Sequence, residues 1–438
     1  MANKISLISL GCAKNLVNSE QMIYLLNDAG YELTDSAEQS DVIIINTCGF
    51  IDAAKSEAID TILEMAEIKK QHPHLKIVVT GCLTERYRDE VTKELPEIDA
   101  IAGVGSFDNI VDIVKDTLNG SHPSDFGDIN APVGNTPRIV STGPSWAYLR
   151  IAEGCNNYCA FCSIPYIRGR YRSREMDDII TEANELASAG VKEVIVIAQD
   201  ITRYGLDIYG KPSLAELCRK LSDIDGIKWI RLHYLYPEVI DDDLIMEIAN
   251  NNKILKYLDI PIQHIDDNIL KSMNRHTNSN QIRELFAKLR SSIPDLVLRT
   301  SIITGLPGEN ESEFDELCDF LSETKIERVG VFPFSPEEGT PAAKMDHVDQ
   351  KTAERRADMI MDMQSRIMDE FYSSKIGQIL DVLIEYYDPD EDVWVGRSYM
   401  DSPDIDGLVY VSGDVVVGEI IPIKINDQEN GILFGSVI

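Results

Sequence analysis

Apolar and polar positions along the first 120 residues form blocks that predict short buried strands separated by helices. Residues 5–10, 42–46 and 75–80 are nearly uninterrupted apolar runs, as in parallel strands that are covered on both faces. Residues 19–29 and 51–69 carry apolar side chains at helical spacing. The pattern predicts an amino-terminal open parallel α/β sheet with helices on its faces, over residues 1–120.

A second alternation of strands and helices follows a segment rich in glycine, proline, serine and asparagine. That segment, residues 121–144, predicts a linker. Six units of strand and helix then predict a partial (β/α) barrel over residues 145–373, with its site at the carboxyl ends of the strands. The candidate strands are residues 147–152, 193–198, 229–233, 257–260, 297–303 and 329–334.

The pattern changes again over residues 374–438, where five short β-rich runs are separated by Asp, Gly, Pro and Asn turns. Such runs predict a small antiparallel β-barrel of the OB-like kind. The runs are residues 379–386, 393–397, 408–411, 419–425 and 431–437. Three domains of this size suit a chain of 438 residues.

Charge limits the choice of partner. The net charge is −33, from 41 basic and 74 acidic residues. Residues 375–438 contain 13 Asp and Glu against three Lys and Arg, a net charge of −10. A surface this acidic disfavours phosphate backbones and favours a basic protein. No apolar run approaches the ~18 residues of a membrane span, and we expect a cytoplasmic protein, in which thiols stay reduced.

Three of the eight cysteines, Cys155, Cys159 and Cys162, lie within eight residues at C-x3-C-x2-C spacing. This spacing does not suit a disulfide framework, and zinc sites usually carry paired C-x2-C hooks. An iron–sulfur cluster accepts irregular spacing, and three thiolates leave one of its four irons open for another ligand. The loop therefore predicts a catalytic cluster with one open iron.

Cys12, Cys48 and Cys82 each follow a predicted strand of the first sheet and lie beside a glycine. Carboxyl ends of neighbouring parallel strands meet at one sheet edge, about 4.8 Å apart. The three thiols are therefore predicted to converge on a second cluster. Cys218 and Cys318 lie in amphipathic helical patterns and are predicted to be packing residues.

Polar residues also recur where the central strands end. Gln199, Asp200 and Gln263 follow two of these strands, which predicts that they line a shared pocket. Residues 168–174 form a local basic cluster (RGRYRSR) just after the cysteine loop. This cluster is predicted either to face an anionic ligand or to be a solvated, ion-paired loop.

The cysteine loop, with Phe161 before its last cysteine, resembles the signature of radical S-adenosylmethionine (SAM) enzymes. That resemblance implies that the open iron binds SAM, which is cleaved to a 5′-deoxyadenosyl radical. Over essentially its whole length the chain resembles the methylthiotransferase family, although Ala13 stands where relatives often have Pro. The motifs that carry the resemblance are LGCAKNLVNSE (10–20), NTCGFI (46–51), TGC (80–82), EGCNNYCAFCSIPYIRG (153–169), LDIPIQH (258–264), GLPGE (305–309) and EEGT (337–340).

The resemblance implies two 4Fe–4S clusters, one ligated by Cys155, Cys159 and Cys162 and an auxiliary one ligated by Cys12, Cys48 and Cys82. It also implies SAM as cofactor, a carboxy-terminal module of the TRAM type, and an electron donor such as flavodoxin or ferredoxin. We expect Gln199, Asp200, Gln263 and Arg299 to contact SAM or substrate. One SAM methylates a sulfur species and another provides the radical.

Two branches of the family differ in substrate. GCAKNLVNSE and GRSYMDSPDIDG (396–407) resemble the RimO-like branch, which methylthiolates the β-carbon of an aspartate in the twelfth protein of the small ribosomal subunit. The alternative is the MiaB-like branch, which modifies isopentenyl-adenosine in tRNA. The rival class is a non-enzymatic ribosome-assembly factor with structural zinc. The acidic barrel favours the protein substrate, and nucleic acid is not expected to be the direct substrate.

Overall fold

The computed structural model describes residues 3–438. The chain divides into two compact units, each built from separated segments of sequence. The first unit comprises Met1–Ser141, Ala152–Arg174 and Ser335–Ala343. The second comprises Thr142–Ile151, Glu175–Phe334 and Lys344–Ile438.

The first unit contains the open parallel sheet that the sequence predicts. Its six strands run in the order β2-β1-β3-β4-β5-β6, and all pairs are parallel. The central strands β1, β3 and β4 are therefore immediate neighbours, which brings their carboxyl ends together. The strands are β1 (Lys4–Ser9), β2 (Glu32–Leu33), β3 (Val42–Thr47), β4 (Lys76–Gly81), β5 (Ala100–Ala102) and β6 (Ser124–Asp125).

Both faces of this sheet are covered, because successive side chains of each strand point to opposite sides. Ile43 and Ile45 of β3 pack in one core with α2, whereas Val42 and Ile44 pack in the other with α1 and α5. This two-sided burial explains why β3 reads as a continuous apolar run. The helices are α1 (Ala13–Asp28), α2 (Asp52–Gln71), α3 (Cys82–Arg86), α4 (Arg88–Glu94) and α5 (Ile110–Leu118).

The glycine- and proline-rich segment after residue 120 contributes structure that its composition does not predict. Strand β6 pairs with β5 at the sheet edge. Farther along, Arg138 forms an ion pair with Glu20 of α1, and the backbone N–H of Ser141 donates to Glu20 Oε1 at 2.7 Å. Because Glu20 is 1% exposed, this buried carboxylate fixes the segment to α1.

The remaining parts of the first unit are a cysteine-containing loop and a short segment at Ser335–Ala343. The loop lies between β8 (Ala152–Glu153) and the short helix α6 (Ile164–Ile167). Strand β8 pairs antiparallel with β9 (Arg172–Ser173), which closes the loop at its base.

The second unit begins with an open sheet of six parallel strands, in the order β14-β13-β12-β11-β10-β7. This confirms the six predicted strand–helix units of a partial barrel. The strands are β7 (Trp146–Arg150), β10 (Glu193–Ile197), β11 (Trp229–Leu232), β12 (Ile254–Asp259), β13 (Val297–Thr304) and β14 (Arg328–Pro333). The helices are α7 (Met176–Ser188), α8 (Leu214–Ser222), α9 (Asp242–Asn250), α10 (Asp267–Ser272), α11 (Ser279–Ser292), α12 (Glu311–Thr324) and α13 (Gln350–Ser373).

The carboxy-terminal part of the second unit is a closed five-stranded barrel, as predicted. Its order is β15-β16-β17-β19-β18, and only the β17–β19 pair is parallel. The strands are β15 (Ile379–Asp388), β16 (Val393–Ser398), β17 (Leu408–Ser412), β18 (Ile420–Glu429) and β19 (Ile432–Val437). Closure leaves no long free strand edge in this part of the chain.

This barrel shares a core with the central sheet. Trp229, Tyr257 and Tyr372 pack in one apolar cluster with barrel residues such as Val382 and Leu433. The barrel is therefore continuous with the central sheet rather than joined to it by a flexible linker.

A buried polar seam also joins the central sheet to residues 396–407. Glu193 Oε1 accepts from Arg231 Nε at 2.6 Å, and Glu193 Oε2 accepts from Arg397 Nη2 at 2.8 Å. Nearby, Arg328 Nη2 donates to Asp401 Oδ1 at 2.9 Å. These five side chains are at most 4% exposed. Arg397 and Asp401 of the 396–407 signature thus make internal contacts, whereas Asp404 and Ile405 are exposed.

Among residues 3–438, no helix combines the length and the apolar character needed to cross a bilayer.

Candidate functional site

The loop that carries Cys155, Cys159 and Cys162 is held by its own backbone. Gly154 has φ +75°, and a Cβ at this position would lie 2.1 Å from the carbonyl oxygen of Arg170. The N–H of Cys155 donates to the Gly169 carbonyl at 3.1 Å, and the N–H of Cys162 donates to the Cys159 carbonyl at 2.9 Å. None of the three cysteines forms a disulfide, and all three are at least partly buried. The predicted trio is therefore presented on one tightly folded loop.

The backbone N–H of Asn157 donates to the Cys155 sulfur, at an N–S distance of 3.5 Å. Amide hydrogen bonds to sulfur stabilise thiolates and tune iron–sulfur clusters. Tyr158 has φ +47°, its side chain is 50% exposed, and it makes an edge-to-face contact with Tyr166. The loop therefore combines shielded thiols with an exposed aromatic pair on its outer surface.

Cys12, Cys48 and Cys82 occupy the carboxyl ends of the adjacent strands β1, β3 and β4. Cys12 is the N-cap of α1, and Cys82 is the first residue of α3. A Cβ on Gly11, which has φ +86°, would lie 2.6 Å from Cys48 Cβ and 3.1 Å from its sulfur. Only glycine allows this close approach. The backbone before Cys12 thus passes close to Cys48, in a space that a larger residue at position 11 would fill.

The three thiols also influence one another electrostatically. Burial raises the pKa of Cys48 to about 11, to which the neighbouring Cys82 and Cys12 contribute. Burial likewise raises the pKa of Cys82. For Cys12, burial acts in the same direction, but the cations Lys14 and Arg168 and nearby backbone amides lower its pKa overall. Converging thiols of this kind lose their protons together only when positive charge joins them, as in metal ligation.

Among residues 3–438, no three His, Cys, Asp or Glu side chains are close enough to hold a single metal ion. The donor set of each trio is three thiols outside any disulfide, which is the donor set of clusters whose irons are ligated separately. The chemistry of the residues fits an iron–sulfur cluster at each trio.

Arg168 links the elements that carry the two trios. Its guanidinium donates to Glu153 Oε2 at 3.0 Å, to Asn18 Oδ1 at 3.3 Å and to Asn15 Oδ1 at 3.2 Å. Its positive charge also acts to lower the pKa of Cys82, although burial raises that pKa overall. Arg168 is only 2% exposed, so this member of the basic cluster is internal and not a solvated surface residue.

The segment Ser335–Ala343 makes a second link. Glu337 accepts from Lys55 Nζ at 3.0 Å and from Arg86 Nη1 at 2.7 Å, and its side chain is 2% exposed. Five residues later, the N–H of Ala342 donates to the carbonyl of Ala160, inside the cysteine loop, at 2.9 Å. The sequence marks EEGT (337–340) only as a family motif, far along the chain from the cysteines. Its structural role becomes visible only through the ion pairs of Glu337.

The other predicted site residues lie in the second unit. Asp200 follows β10, and its carboxylate accepts from Thr202 and from Arg203. Gln263 follows β12, has φ +73°, and forms an isolated parallel β-bridge with Ile302 through its backbone. Gln199 lies beside Asp200 at the end of β10.

Arg299 lies near the start of β13 and not at a carboxyl end. It donates to Asp259 Oδ1 at 2.8 Å on the neighbouring strand. The arrangement leaves Gln199, Asp200 and Gln263 nearer to the strand ends than Arg299.

The LDIPIQH and GLPGE motifs meet in a buried contact. His264 Nε2 lies 3.2 Å from Glu309 Oε2, and His264 Nδ1 accepts from the Asp266 N–H at 3.0 Å. Glu309 also accepts from the N–H of Gly305 and from Arg356 at 2.8 and 2.7 Å. These hydrogen bonds hold together the loops that follow β12 and β13.

The terminal barrel exposes little positive charge. Of its three basic residues, Arg397 is fully buried in the ion pair with Glu193, and Lys375 is 8% exposed. Lys424 is the one exposed basic side chain among residues 375–438. This surface is unsuited to a polyphosphate backbone.

Family models match three parts of the chain. Residues 4–103 match an uncharacterized protein family, UPF0004, residues 149–321 match the radical SAM superfamily, and residues 376–438 match the TRAM domain. The matched segments correspond to the first sheet, the central sheet with its cysteine loop, and the terminal barrel.

Solved structures confirm the fold. The chain is similar to the radical SAM methyltransferase TsrM from Kitasatospora setae, with a TM-score of 0.56 and 13% identity over 75% of this chain and 73% of that one. It is also similar to the cobalamin-dependent radical SAM enzyme OxsB, with a TM-score of 0.53 and 13% identity over 84% of this chain and 56% of that one. At this identity the likeness concerns the fold alone.

Curated relatives match from end to end. A protein from Acetivibrio thermocellus is 46% identical over 100% of this chain and 99% of its own length. One from Caldanaerobacter subterraneus subsp. tengcongensis is 49% identical over 97% of each chain. Both are named ribosomal protein uS12 methylthiotransferase RimO. With this identity along its whole length, and with two cysteine trios in one compact unit, the chain belongs to the RimO family of radical SAM proteins.

Proposed function

We propose that this chain is a radical SAM methylthiotransferase that attaches a methylthio group to ribosomal protein uS12, at the β-carbon of an aspartate. Its full-length relatives carry the name of that activity. The observation that carries the proposal is the presence of both cysteine trios in one compact unit, linked by Arg168. A transfer of sulfur to a substrate radical needs both sites close together.

Membership of the radical SAM superfamily implies one 4Fe–4S cluster and SAM. Cys155, Cys159 and Cys162 would hold this cluster, and Cys12, Cys48 and Cys82 would hold a second one. When bound, these groups and SAM supply a carbon-centred radical and the sulfur of the methylthio group.

The chain's own residues shield and orient these groups. Cys82, Cys155 and Cys159 are at most 9% exposed, which limits contact with water and with stray hydrogen donors. The backbone bonds at Cys155 and Cys162 fix the direction in which the loop presents its sulfurs. We assign SAM or substrate contacts to Gln199, Asp200 and Gln263, and to Arg299 through its pair with Asp259.

The substrate we propose is a basic protein, because the terminal barrel has a net charge of −10 and one exposed basic side chain. Modification of tRNA, the MiaB-like alternative, requires contacts to phosphates that this barrel does not offer. A non-enzymatic zinc-dependent assembly factor does not agree with a radical SAM family match. We further propose cytoplasmic action, with a flavodoxin or ferredoxin as electron donor.

Iron content after anaerobic reconstitution tests the cluster assignment. We expect about eight irons in the wild-type protein and about four after Ala replaces Cys155, Cys159 and Cys162. The same loss is expected when Cys12, Cys48 and Cys82 are replaced. Cys218→Ala and Cys318→Ala are matched controls that keep all the iron. Full iron content in either triple variant would contradict the assignment.

Mass spectrometry tests the substrate. Purified uS12 and bulk tRNA, each incubated with reconstituted enzyme, SAM and reductant, are compared for the mass of a methylthio group in place of hydrogen. We expect the modification on an aspartate of uS12 and none on tRNA. The opposite distribution would replace our proposal by the tRNA alternative.

A further inference from the structure

A cavity of about 350 Å³ lies in the first unit, beside the cysteine loop. Its walls come from three segments of the chain, which are residues 85–90, residues 163–167 and residues 338–339. The first segment continues from the helix that Cys82 begins, and the second starts directly after Cys162. A volume of this size lies at the small end of known ligand sites, which suits a single long side chain.

A buried hydroxyl lines this cavity. Ser163 is 3% exposed, and within residues 3–438 its Oγ has no hydrogen-bond partner. The side chain does not cap α6, because the backbone carbonyl of Ser163 accepts from the N–H groups of Tyr166 and Ile167 instead. Buried polar groups in native proteins nearly always have a partner. A hydroxyl that lines a cavity and lacks one therefore points to a polar ligand.

The cations beside the cavity are already paired within the protein. Arg86 Nη1 donates to Glu337 Oε2 at 2.7 Å, and its Nη2 donates to the backbone carbonyl of Glu338 at 2.7 Å. Arg88 is paired with the buried carboxylate of Glu85. These cations are compensated and do not make the cavity a site for an anion.

Two carboxylates of the cavity remain without a counter-ion. Glu90 of α4 and Glu338 both line it and have exposed side chains. The surrounding ion pairs are made by Glu85 and Glu337, and across the described part of the chain neither Glu90 nor Glu338 takes part in one. The electrostatic preference of the cavity is therefore for a cation.

An exposed aromatic ring indicates which cation fits. Tyr166 lines the cavity and is 60% exposed, and it meets Tyr158 edge to face with ring centroids 6.4 Å apart. Aromatic rings attract cations, and the planar guanidinium of arginine stacks on them while its N–H groups bind carboxylates. Carboxylates, an aromatic ring and a hydroxyl acceptor together match a guanidinium.

We propose that this cavity binds an arginine side chain of the protein substrate, with Glu90 and Glu338 as its carboxylate partners and Tyr166 as its stacking surface. The inference rests on the proposed function, because it takes the basic protein uS12 as the source of the side chain. It goes further by assigning a substrate-anchoring subsite beside the cysteine loop, apart from the acidic terminal barrel.

Kinetics with uS12 provide the first test. Changing both Glu90 and Glu338 to Gln removes two charges from exposed positions, so folding and iron content should be as in wild type. KM for uS12 should rise about 3- to 10-fold, and kcat should stay nearly the same. The matched control changes Asp89 to Asn and Glu94 to Gln, which are exposed on α4 outside the cavity wall, and should leave KM unaltered. An unchanged KM in the first double variant, or an equal rise in both, overturns the proposal.

A small probe tests the ligand class without uS12. N-acetylarginine amide carries the guanidinium, whereas N-acetylcitrulline amide replaces it by a neutral urea of the same shape. In saturation-transfer NMR with the reconstituted protein, only the arginine compound should bind. The Glu90 and Glu338 double variant should lose most of that signal, and the Asp89 and Glu94 control should keep it. Equal signals from the two compounds would contradict the site.

The ring of Tyr166 is tested with the same probe. Tyr166→Leu should weaken binding of the arginine compound about 2- to 5-fold, whereas Tyr166→Phe keeps the ring and should not. Equal losses in both variants would show that the ring does not bind the cation.

These measurements also separate the subsite from the proposed function. If the arginine compound binds through Glu90 and Glu338 but uS12 is not modified, the proposed function is wrong and the site for a basic side chain stands. If the double variant modifies uS12 with the wild-type KM, the subsite is wrong and the proposed function stands.

Discussion

Glu337 accepts a hydrogen bond at 2.7 Å from Arg86, which is the last residue of the helix that Cys82 begins. The same carboxylate accepts from Lys55, and the segment behind it reaches the cysteine loop through Ala342 and Ala160. The segment around Glu337 thus contacts both the helix that begins at Cys82 and the loop that carries Cys155, Cys159 and Cys162.

Replacing Glu337 by Ala should loosen the cysteine loop. The change leaves Lys55 and Arg86 without their shared carboxylate, and breaking a buried ion pair in this way costs about 3–5 kcal/mol. We expect faster hydrogen–deuterium exchange in residues 155–163 of the metal-free protein and a lower melting temperature.

Glu338→Ala is the control, because its exposed side chain has no role in this contact. Unaltered exchange in the loop of the Glu337 variant would show that the segment does not support the loop.

Gly11→Ala should remove the auxiliary cluster selectively. A Cβ at this position would lie 2.6 Å from Cys48 Cβ, so Cys48 must move. Gly30→Ala is a close control, since Gly30 has φ +87° and no heavy atom within 4 Å of the added Cβ. Both variants incur about 1–2 kcal/mol of left-handed backbone strain. Only Gly11→Ala should lower the reconstituted iron content, from about eight to about four atoms; equal iron in both variants would contradict the predicted cluster site beside Gly11.

Glu193 should make the free energy of unfolding of the second unit depend on pH in the acidic range. Burial raises the pKa of Glu193, but attraction by Arg231 and Arg397 outweighs burial and places the pKa below its usual 4.5. A carboxyl with a lowered pKa contributes stability that is complete above its usual pKa and is lost as the pH falls through the folded-state value. Wild type should therefore exceed Glu193→Gln in free energy of unfolding above pH 4.5, and this difference should shrink at lower pH.

Urea titrations followed by tryptophan fluorescence at several pH values measure this difference. Near neutral pH we expect about 3 kcal/mol or more, because the variant leaves two buried arginines without a counter-charge. Glu284→Gln, at an exposed position of α11, should show no such pH dependence. If the difference in free energy of unfolding between wild type and Glu193→Gln does not change with pH, the negative charge of Glu193 does not stabilise the second unit.

Charge reversal on the terminal barrel should slow modification of uS12. Asp390 and Glu391 are exposed in the turn between β15 and β16, and changing both to Lys repels a basic substrate. We expect kcat/KM to fall by about 3- to 10-fold at low salt and the difference to shrink as salt screens the charges. The same double change at Asp358 and Asp362, exposed on α13, is the control. Equal effects of both pairs would indicate a non-specific influence of net charge.

Much of the architecture was predictable, because the strands have strong patterns. The run at β3 is apolar on both faces, and the position of Cys12, Cys48 and Cys82 after successive strands implied one sheet edge. The structure places β1, β3 and β4 side by side, and the convergence of the three thiols on one cluster stays a prediction.

The sequence pattern places the start of α1 at residue 19, which is wrong by six residues, because the helix begins at Ala13. The buried residues of its first turns are polar, with Lys14, Asn15 and Asn18 at most 7% exposed. Hydrophobic periodicity does not detect a helix whose inner face serves a polar site.

The contacts of single buried charges were not predictable. Arg168 was read with its basic neighbours, yet it is internal, whereas Arg170 is exposed. Glu337 lies more than 250 residues from Arg86 and meets it only in the folded chain. Sequence spacing describes local structure, while these pairings depend on how distant segments pack.

The discontinuity of the first unit has a consequence for synthesis. Its sheet ends at residue 125, but the cysteine loop lies at 152–174 and the Glu337 segment at 335–343. A ribosome making this chain releases the complete unit only after most of the central sheet has been translated. The first sheet therefore emerges before the segments that carry Arg168 and Glu337. The complete surroundings of both cysteine trios can form only after residue 343 has emerged.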